Sequence, residues 1–214
     1  IGHGDPHALA FTPDGQKIWI GTGAGRAGLF ALSTLEPTGL NNSPVFPRAE
    51  FLAHVEVEQS LDVTRSSLDE IVLSPNGRLL AWADQGRDDA GQEAGIFNLV
   101  TQKEIRKWQN LADSAILPHI AFTPDGTRVA FYIHGPCESR CLAVWNVEKE
   151  RIEAMLDVYV TFRSPGYAFA NGGLYYGTRT GGPYQIRRWD LEAREETVID
   201  PNARDGHFID LFAS

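Results

Sequence analysis

Sulfur and positive charge are both scarce in this chain. Its 214 residues hold two cysteines and one methionine, and 19 lysines and arginines stand against 28 aspartates and glutamates, for a net charge of −9. The basic residues are scattered singly or in pairs such as Arg187-Arg188. The long-range field therefore repels a phosphate backbone, and nucleic acid is not an expected partner. No apolar run approaches the roughly 18 residues of a membrane-spanning helix, so no membrane insertion is expected. The opening IGHGDPH has no basic segment followed by an apolar one, so no targeting signal is read there. Helical periodicity is missing as well. No repeated segment places apolar residues at i, i+3, i+4 and i+7 over ten positions, and only EQSLDVTRSSLDE at 58–70 offers a helical turn or two.

Recognisable catalytic constellations are also absent. There is no Gly-x-Ser-x-Gly elbow, no His-Glu-x-x-His, no Walker loop and no dinucleotide fingerprint, so no catalytic residue is assigned. The glycine-rich GTGAGRAG at 21–28 lies between two strand-like runs, with no helix N-terminus to hold an anion, and reads as a hairpin loop. Cys137 and Cys141, in HGPCESRC, either close a small disulfide loop or stay as thiols. A zinc site needs about four ligands, and His134 is the only histidine nearby in sequence. The acidic stretch Asp88, Asp89 and Glu93 lacks the ligand order of an EF-hand and reads as a solvated loop. No metal and no cofactor are expected.

What the chain does have is a repeat. HALAFTPDGQKIWIGT at 7–22 returns as HIAFTPDGTRVAFYI at 119–133, with weaker copies EIVLSPNGRLLAWAD at 70–84 and GYAFANGGLYYGT at 166–178. Taking Gly15, Gly77, Gly126 and Gly173 as turn glycines, the copies are 62, 49 and 47 residues apart. Each reads as strand, tight Asp-Gly or Asn-Gly turn, strand. Third strands follow in GLFALSTLE (28–36), AGIFNLVTQ (94–102), CLAVWNVEK (141–149) and QIRRWDLEA (185–193). Fourth strands follow in EIRKWQNL (104–111), RIEAMLDV (151–158) and EETVID (195–200), while the stretch 37–69 obscures the one in the first copy. Trp19, Trp82, Phe131 and Tyr176 fall at equivalent places in their second strands, which predicts packing between repeats. With 43% hydrophobic residues the chain can bury a substantial core.

A four-stranded unit repeated every 40–50 residues or so is the pattern of a propeller blade, and the residues resemble the WD40 repeats. The carriers are the AFTPDG blocks at 10–15 and 121–126, the SPNG block at 74–77, and the third-strand endings Val144-Trp145-Asn146 and Arg188-Trp189-Asp190. The first two copies depart from the pattern, ending in Phe30-Ala31-Leu32 and Phe97-Asn98-Leu99, and the family's Gly-His pair occurs only at Gly2-His3 and Gly206-His207. The resemblance implies an all-β propeller of degenerate four-stranded antiparallel blades, at 2–54, 55–115, 116–162 and 163–205, with 206–214 starting another. Four blades plus a strand fit either a small ring closed by that last strand or part of a larger one. Propellers of this repeat mostly have about seven blades, so the larger ring is the expectation.

The resemblance further implies a non-catalytic interaction or sensing scaffold whose partner is another protein or further blades of the same protein. The alternative is a propeller accompanying an enzyme, a hydrolase or periplasmic oxidoreductase, with catalysis elsewhere. His119 and His207 resemble the structural histidines of such repeats. Contacts are expected on the loops joining second and third strands, at 23–27, 85–94, 134–140 and 179–184, with Arg26, Arg87, Arg140, Arg179 and Tyr184 as anchors. The compartment follows the cysteines: cytoplasmic with free thiols, periplasmic or extracellular with a bridge.

Overall fold

The computed structural model describes residues 6–32, 57–64, 67–84, 93–109, 119–133, 137, 140–158, 166–178 and 183–203. Sixteen strands and no α-helix lie among them. They form four sheets, each with its four strands in chain order and antiparallel. The first holds β1 (Pro6–Phe11), β2 (Lys17–Thr22), β3 (Arg26–Ala31) and β4 (Gln59–Asp62). The second holds β5 (Glu70–Leu73), β6 (Leu79–Asp84), β7 (Glu93–Asn98) and β8 (Lys103–Gln109). The third holds β9 (Ile120–Phe122), β10 (Arg128–Ile133), β11 (Arg140–Asn146) and β12 (Arg151–Val158). The fourth holds β13 (Tyr167–Ala170), β14 (Gly173–Thr178), β15 (Gln185–Asp190) and β16 (Glu196–Asp200). The four-stranded blades implied by the repeat are all present.

The repeated turn residues have a common mechanism. In the first blade the Thr12 hydroxyl accepts the Lys17 N–H at 3.0 Å, Asp14 accepts the Gln16 N–H at 3.0 Å, and Gly15 takes φ +65°. Ser74, Asn76 and Gly77 repeat this in the second blade, and Thr123, Asp125 and Gly126 in the third. The Thr12 hydroxyl and the Gln16 N–H hold the Asp14 carboxyl below its ordinary range. The fourth copy differs from expectation. Its turn is the pair Asn171 and Gly172, both at positive φ, and Gly173 is the first residue of β14. Two residues with positive φ make the tight turn favoured between twisted strands.

The third strands end on a second recurring cap. Asn98 accepts the N–H groups of Val100 and Thr101, Asn146 that of Lys149, and Asp190 those of Glu192 and Ala193. This is what the Trp-Asp, Trp-Asn and Phe-Asn endings supply: an acceptor for the turn into the fourth strand.

Two sequence expectations shift. The fourth strand of the first blade is Gln59–Asp62, beyond the expected break at 54, and it occupies the stretch where a helical turn was the alternative. Trp19 is the third residue of its strand, whereas Trp82, Phe131 and Tyr176 are the fourth of theirs. Successive strand residues point to opposite faces, so the offset places Trp19 on the other face of its blade. There it meets the side of the second blade that carries Trp82. Both indoles belong to one buried cluster with Ala27, Leu61, Leu68, Ile71 and Leu80.

The chain divides into two units, Ile1–Gln109 and Asn110–Ser214, each with two blades. In the first, the Trp19–Trp82 cluster joins the blades, and Gly95 makes room for Trp82, since a Cβ there would lie 2.6 Å from the indole Nε1. In the second, Leu142, Val144, Leu156 and Val158 of the third blade pack on Tyr167, Leu174 and Tyr176 of the fourth. The Tyr167 hydroxyl donates to the carbonyls of His119 at 2.7 Å and Ala130 at 2.9 Å, tying β13 to the neighbouring blade.

Candidate functional site

In the first unit, β1 and β5 are both the end strands of their sheets. Alternate backbone groups of an end strand point away from its sheet with no ladder partner. A groove of about 550 Å³ opens along these two strands, lined by residues 7–11 and 69–73. Along β1 the burial alternates. Ala8 is buried against the second blade, while Leu9 and Phe11 remain 59% and 61% exposed. Two large apolar side chains on an end strand, two residues apart and bare to solvent, are the least expected surface feature of this unit.

One end of the groove is polar. His7 Nδ1 lies 2.6 Å from Ser67 Oγ and 3.5 Å from Asp69 Oδ1, and the Ser67 hydroxyl donates to Asp69 at 3.3 Å. Serine, histidine and aspartate together invite a hydrolytic reading, and the geometry does not support one. In a catalytic triad the two ring nitrogens face the hydroxyl and the carboxylate separately. Here both partners approach Nδ1, and Ser67 is 2% exposed. With its proton on Nδ1, the ring donates to Ser67 and Ser67 to Asp69. The trio is a brace joining the start of β1 to the approach to β5.

No family model matches the sequence, and no curated protein does. Solved structures do resemble the fold. U3-55K matches with a TM-score of 0.58 at 12% identity, over 92% of this chain and 52% of that one. The RRP9 WD40 repeats match with 0.58 at 13% identity, over 92% and 51%. The fold is of the WD40 propeller type. A hydrazine synthase chain from Kuenenia stuttgartiensis is also similar, with a TM-score of 0.55 at 15% identity, over 94% and 51%. The chain spans about half the length of each of these structures.

Of the anchors expected on the WD40 rim loops, Arg26, Arg140 and Tyr184 fall among the described residues. Arg26 opens β3 and pairs with Asp62 at 2.7 Å. Arg140 opens β11, and Arg87 and Arg179 lie outside the described residues. Tyr184 is 9% exposed and packs with Ile186 and Ala203, so its ring is internal to the fourth blade. His119 packs against Tyr167 in a tilted pair with centroids 4.8 Å apart, and His207 lies outside the described residues. Glu93, from the acidic stretch, receives Lys107 at 2.6 Å and Gln109 at 2.9 Å, while Asp88 and Asp89 lie outside the described residues. Its burial acts to raise its pKa, and the bonds from Lys107, Gln109 and Thr64 outweigh that and lower it. Among the described residues no group of three or more histidines, cysteines or acids could hold a metal, and no helix is long and apolar enough to cross a membrane. Cys137 and Cys141 are joined by a disulfide across the β10–β11 connection, and Cys141 is fully buried.

Leu9, Phe11, Asp69 and Glu70 were not singled out in the sequence. The alternation in HALAF marks a half-exposed strand, but a single strand pattern does not say which of its faces meets the next blade.

Proposed function

We propose that this chain is a non-catalytic interaction scaffold, a set of WD40-type blades that holds a partner polypeptide against the exposed face of β1. The observation that carries the reading is the exposed pair Leu9 and Phe11 on an end strand whose sheet is fixed by a buried core. Rigid strands with an apolar contact row suit recognition, because little conformational entropy is lost on binding. Arg26 and Arg87 in the first unit and, taken separately, Arg140 and Arg179 in the second are further contact residues in the same reading, each on its own connection.

A photocrosslinking residue tests this when placed at Phe11 and, as a control, at Val100, which is 71% exposed in a turn. A discrete polypeptide adduct from position 11 and none from position 100 is expected. Equal labelling at both positions, or none at position 11, overturns the reading. The similarity to a hydrazine synthase chain supports a second reading, in which the blades accompany an enzyme whose catalytic groups lie elsewhere. A crosslinked partner that carries a redox group or hydrolytic activity favours that version.

A further inference from the structure

The seam inside each unit is assembled the same way round. One face of the earlier blade packs on the opposite face of the later one. The earlier blade offers small side chains on its first strand, Ala8 and Ala10 in β1 and Ala121 in β9. The later blade receives them with large ones, Ile71 and Leu73 in β5 and Tyr167 and Phe169 in β13. The approach is close at Gly21, where a Cβ would lie 3.2 Å from Ala8 Cβ and 3.6 Å from Ile71 Cγ2. Received in this way, Ile71 is 4% exposed and Tyr167 1%.

The first blade has a receiving face of its own, and cross-strand partners, which share a face, identify it. Phe11 pairs with Ile18 as Leu73 does with Leu80 and Phe169 with Leu174. Ile18 in turn pairs with Phe30 as Leu80 does with Phe97 and Leu174 with Trp189. Leu9 and Phe11 therefore hold the places of Ile71 and Leu73, on the side of β1 turned away from the second blade. Ile18, Ile20 and Phe30 on this face are buried, so the part left bare is its β1 edge. Leu9, at 59% exposed, stands as Ile71 would if the first blade were removed. Resting on the scaffold reading, we propose that the partner polypeptide carries a WD40-type blade. The small side chains of that blade's first strand cover Leu9 and Phe11 as Ala8 and Ala10 pack with Ile71 and Leu73.

A second copy of this chain is a poor source for that blade. The offering faces of the first and third blades are engaged inside their own units. That of the second is already buried, with Ala81 and Ile96 both at 0% exposure. That of the fourth carries Arg188 opposite Tyr175, where the first blade has Leu29 opposite Trp19 and the third has Val144 opposite Ala130. Its guanidinium lies 6.0 Å from the centre of the Tyr175 ring, and pressing it toward Leu9 and Phe11 would cost desolvation of a charge. The partner's blade is therefore apolar at the place of Arg188.

The test places a photocrosslinking residue at Leu9 in the full 214-residue chain, in its host cells, and maps by mass spectrometry the residue to which the adduct is joined. The attachment should fall in another polypeptide, on an alanine- or glycine-bearing strand that leads into a Thr/Ser-Pro-Asp/Asn-Gly turn. Phe11→Arg should lower the amount of that polypeptide recovered with the tagged chain by at least about tenfold, and Val100→Arg should leave it unchanged. All three side chains are exposed, and circular dichroism would confirm that the variants fold. An adduct joined to a helix or to a segment without such a turn overturns the blade, while the scaffold reading stands on the position-11 crosslink. An adduct joined to a peptide of this chain, at the mass of one copy or of two, overturns the proposal by making the chain its own occupant. Undiminished recovery with Phe11→Arg overturns it as well, and no adduct at either position 9 or position 11 removes the scaffold reading together with it.

Discussion

The first two blades and the last two are built from one repeat, yet different chemistry joins them. Between the first two the seam is an apolar cluster around Trp19 and Trp82, with the His7–Ser67–Asp69 brace at its edge. Between the last two, apolar packing is supplemented by polar ties. Tyr167 reaches across to two carbonyls, and Glu153, with a side chain 5% exposed, gathers Arg128 at 2.8 Å, Lys149 at 3.2 Å and Arg194 at 3.1 Å. Arg194 comes from the fourth blade and Arg128 also reaches the Leu191 carbonyl, so the cluster spans the seam. A repeat fixes the strands and turns of each blade, whereas each seam is solved separately.

The largest expected effect is on the apolar seam. Trp82→Ala removes a fully buried indole and should destabilise by about 3–5 kcal/mol. Hydrogen exchange should accelerate at residues 67–84 far more than at 166–178. Equal acceleration in both would mean that the two pairs unfold as one.

The next effect concerns the charged seam and acid. Burial acts to raise the Glu153 pKa, but the hydrogen bonds from Arg128 and Lys149, with their charges, hold it at about 2 against an ordinary 4.5. Because the folded value is the depressed one, this stabilisation is complete above about pH 4.5 and fades as the pH falls toward 2. It is on the order of 2–3 kcal/mol. Chemical unfolding between pH 5 and 2 should lose that much in the native chain, and Glu153→Gln should flatten the profile while lowering stability at neutral pH. A profile unchanged in the variant would remove Glu153 from the account of the seam.

The smallest effect compares the two hydrogen-bonded ties. Tyr167→Phe leaves two carbonyls without their hydroxyl donor and should cost about 1–2 kcal/mol in denaturant midpoint analysis. Ser67→Ala, in the more exposed brace, should cost no more than about 1 kcal/mol. A reversed order would make the brace the stronger tie.

Much of this fold was legible because its turns are chemical. Asp14, Asn76 and Asp125 each supply an acceptor that only a turn requires, and Asn98, Asn146 and Asp190 do so at the third-strand ends. The faces were less legible. Trp19 looks equivalent to Trp82 until the strand start is counted from the Thr12–Lys17 bond, and a one-residue difference reverses its direction. The candidate site was hardly legible at all. Its exposed Leu9 and Phe11 are ordinary strand residues in the sequence, and their exposure depends on which face of β1 meets the second blade, a long-range relation that no local pattern encodes. The burial of Tyr184 was hidden for the same reason: it depends on packing with Ile186 and Ala203, which the loop sequence does not encode.

The offset of Trp19 also bears on how the chain avoids confusing its own copies. HALAFTPDG and HIAFTPDG are nearly the same string, and repeat proteins whose units can replace one another are prone to swapped assembly. A second strand borrowed from the third blade would bring Ala130 to the place where the first blade needs an indole, and Phe131 to the place of Ile20. The misplaced register thus works as an address. It gives the first blade a single neighbour that fits, and near-identical turns can coexist in one polypeptide without competing for the same partner.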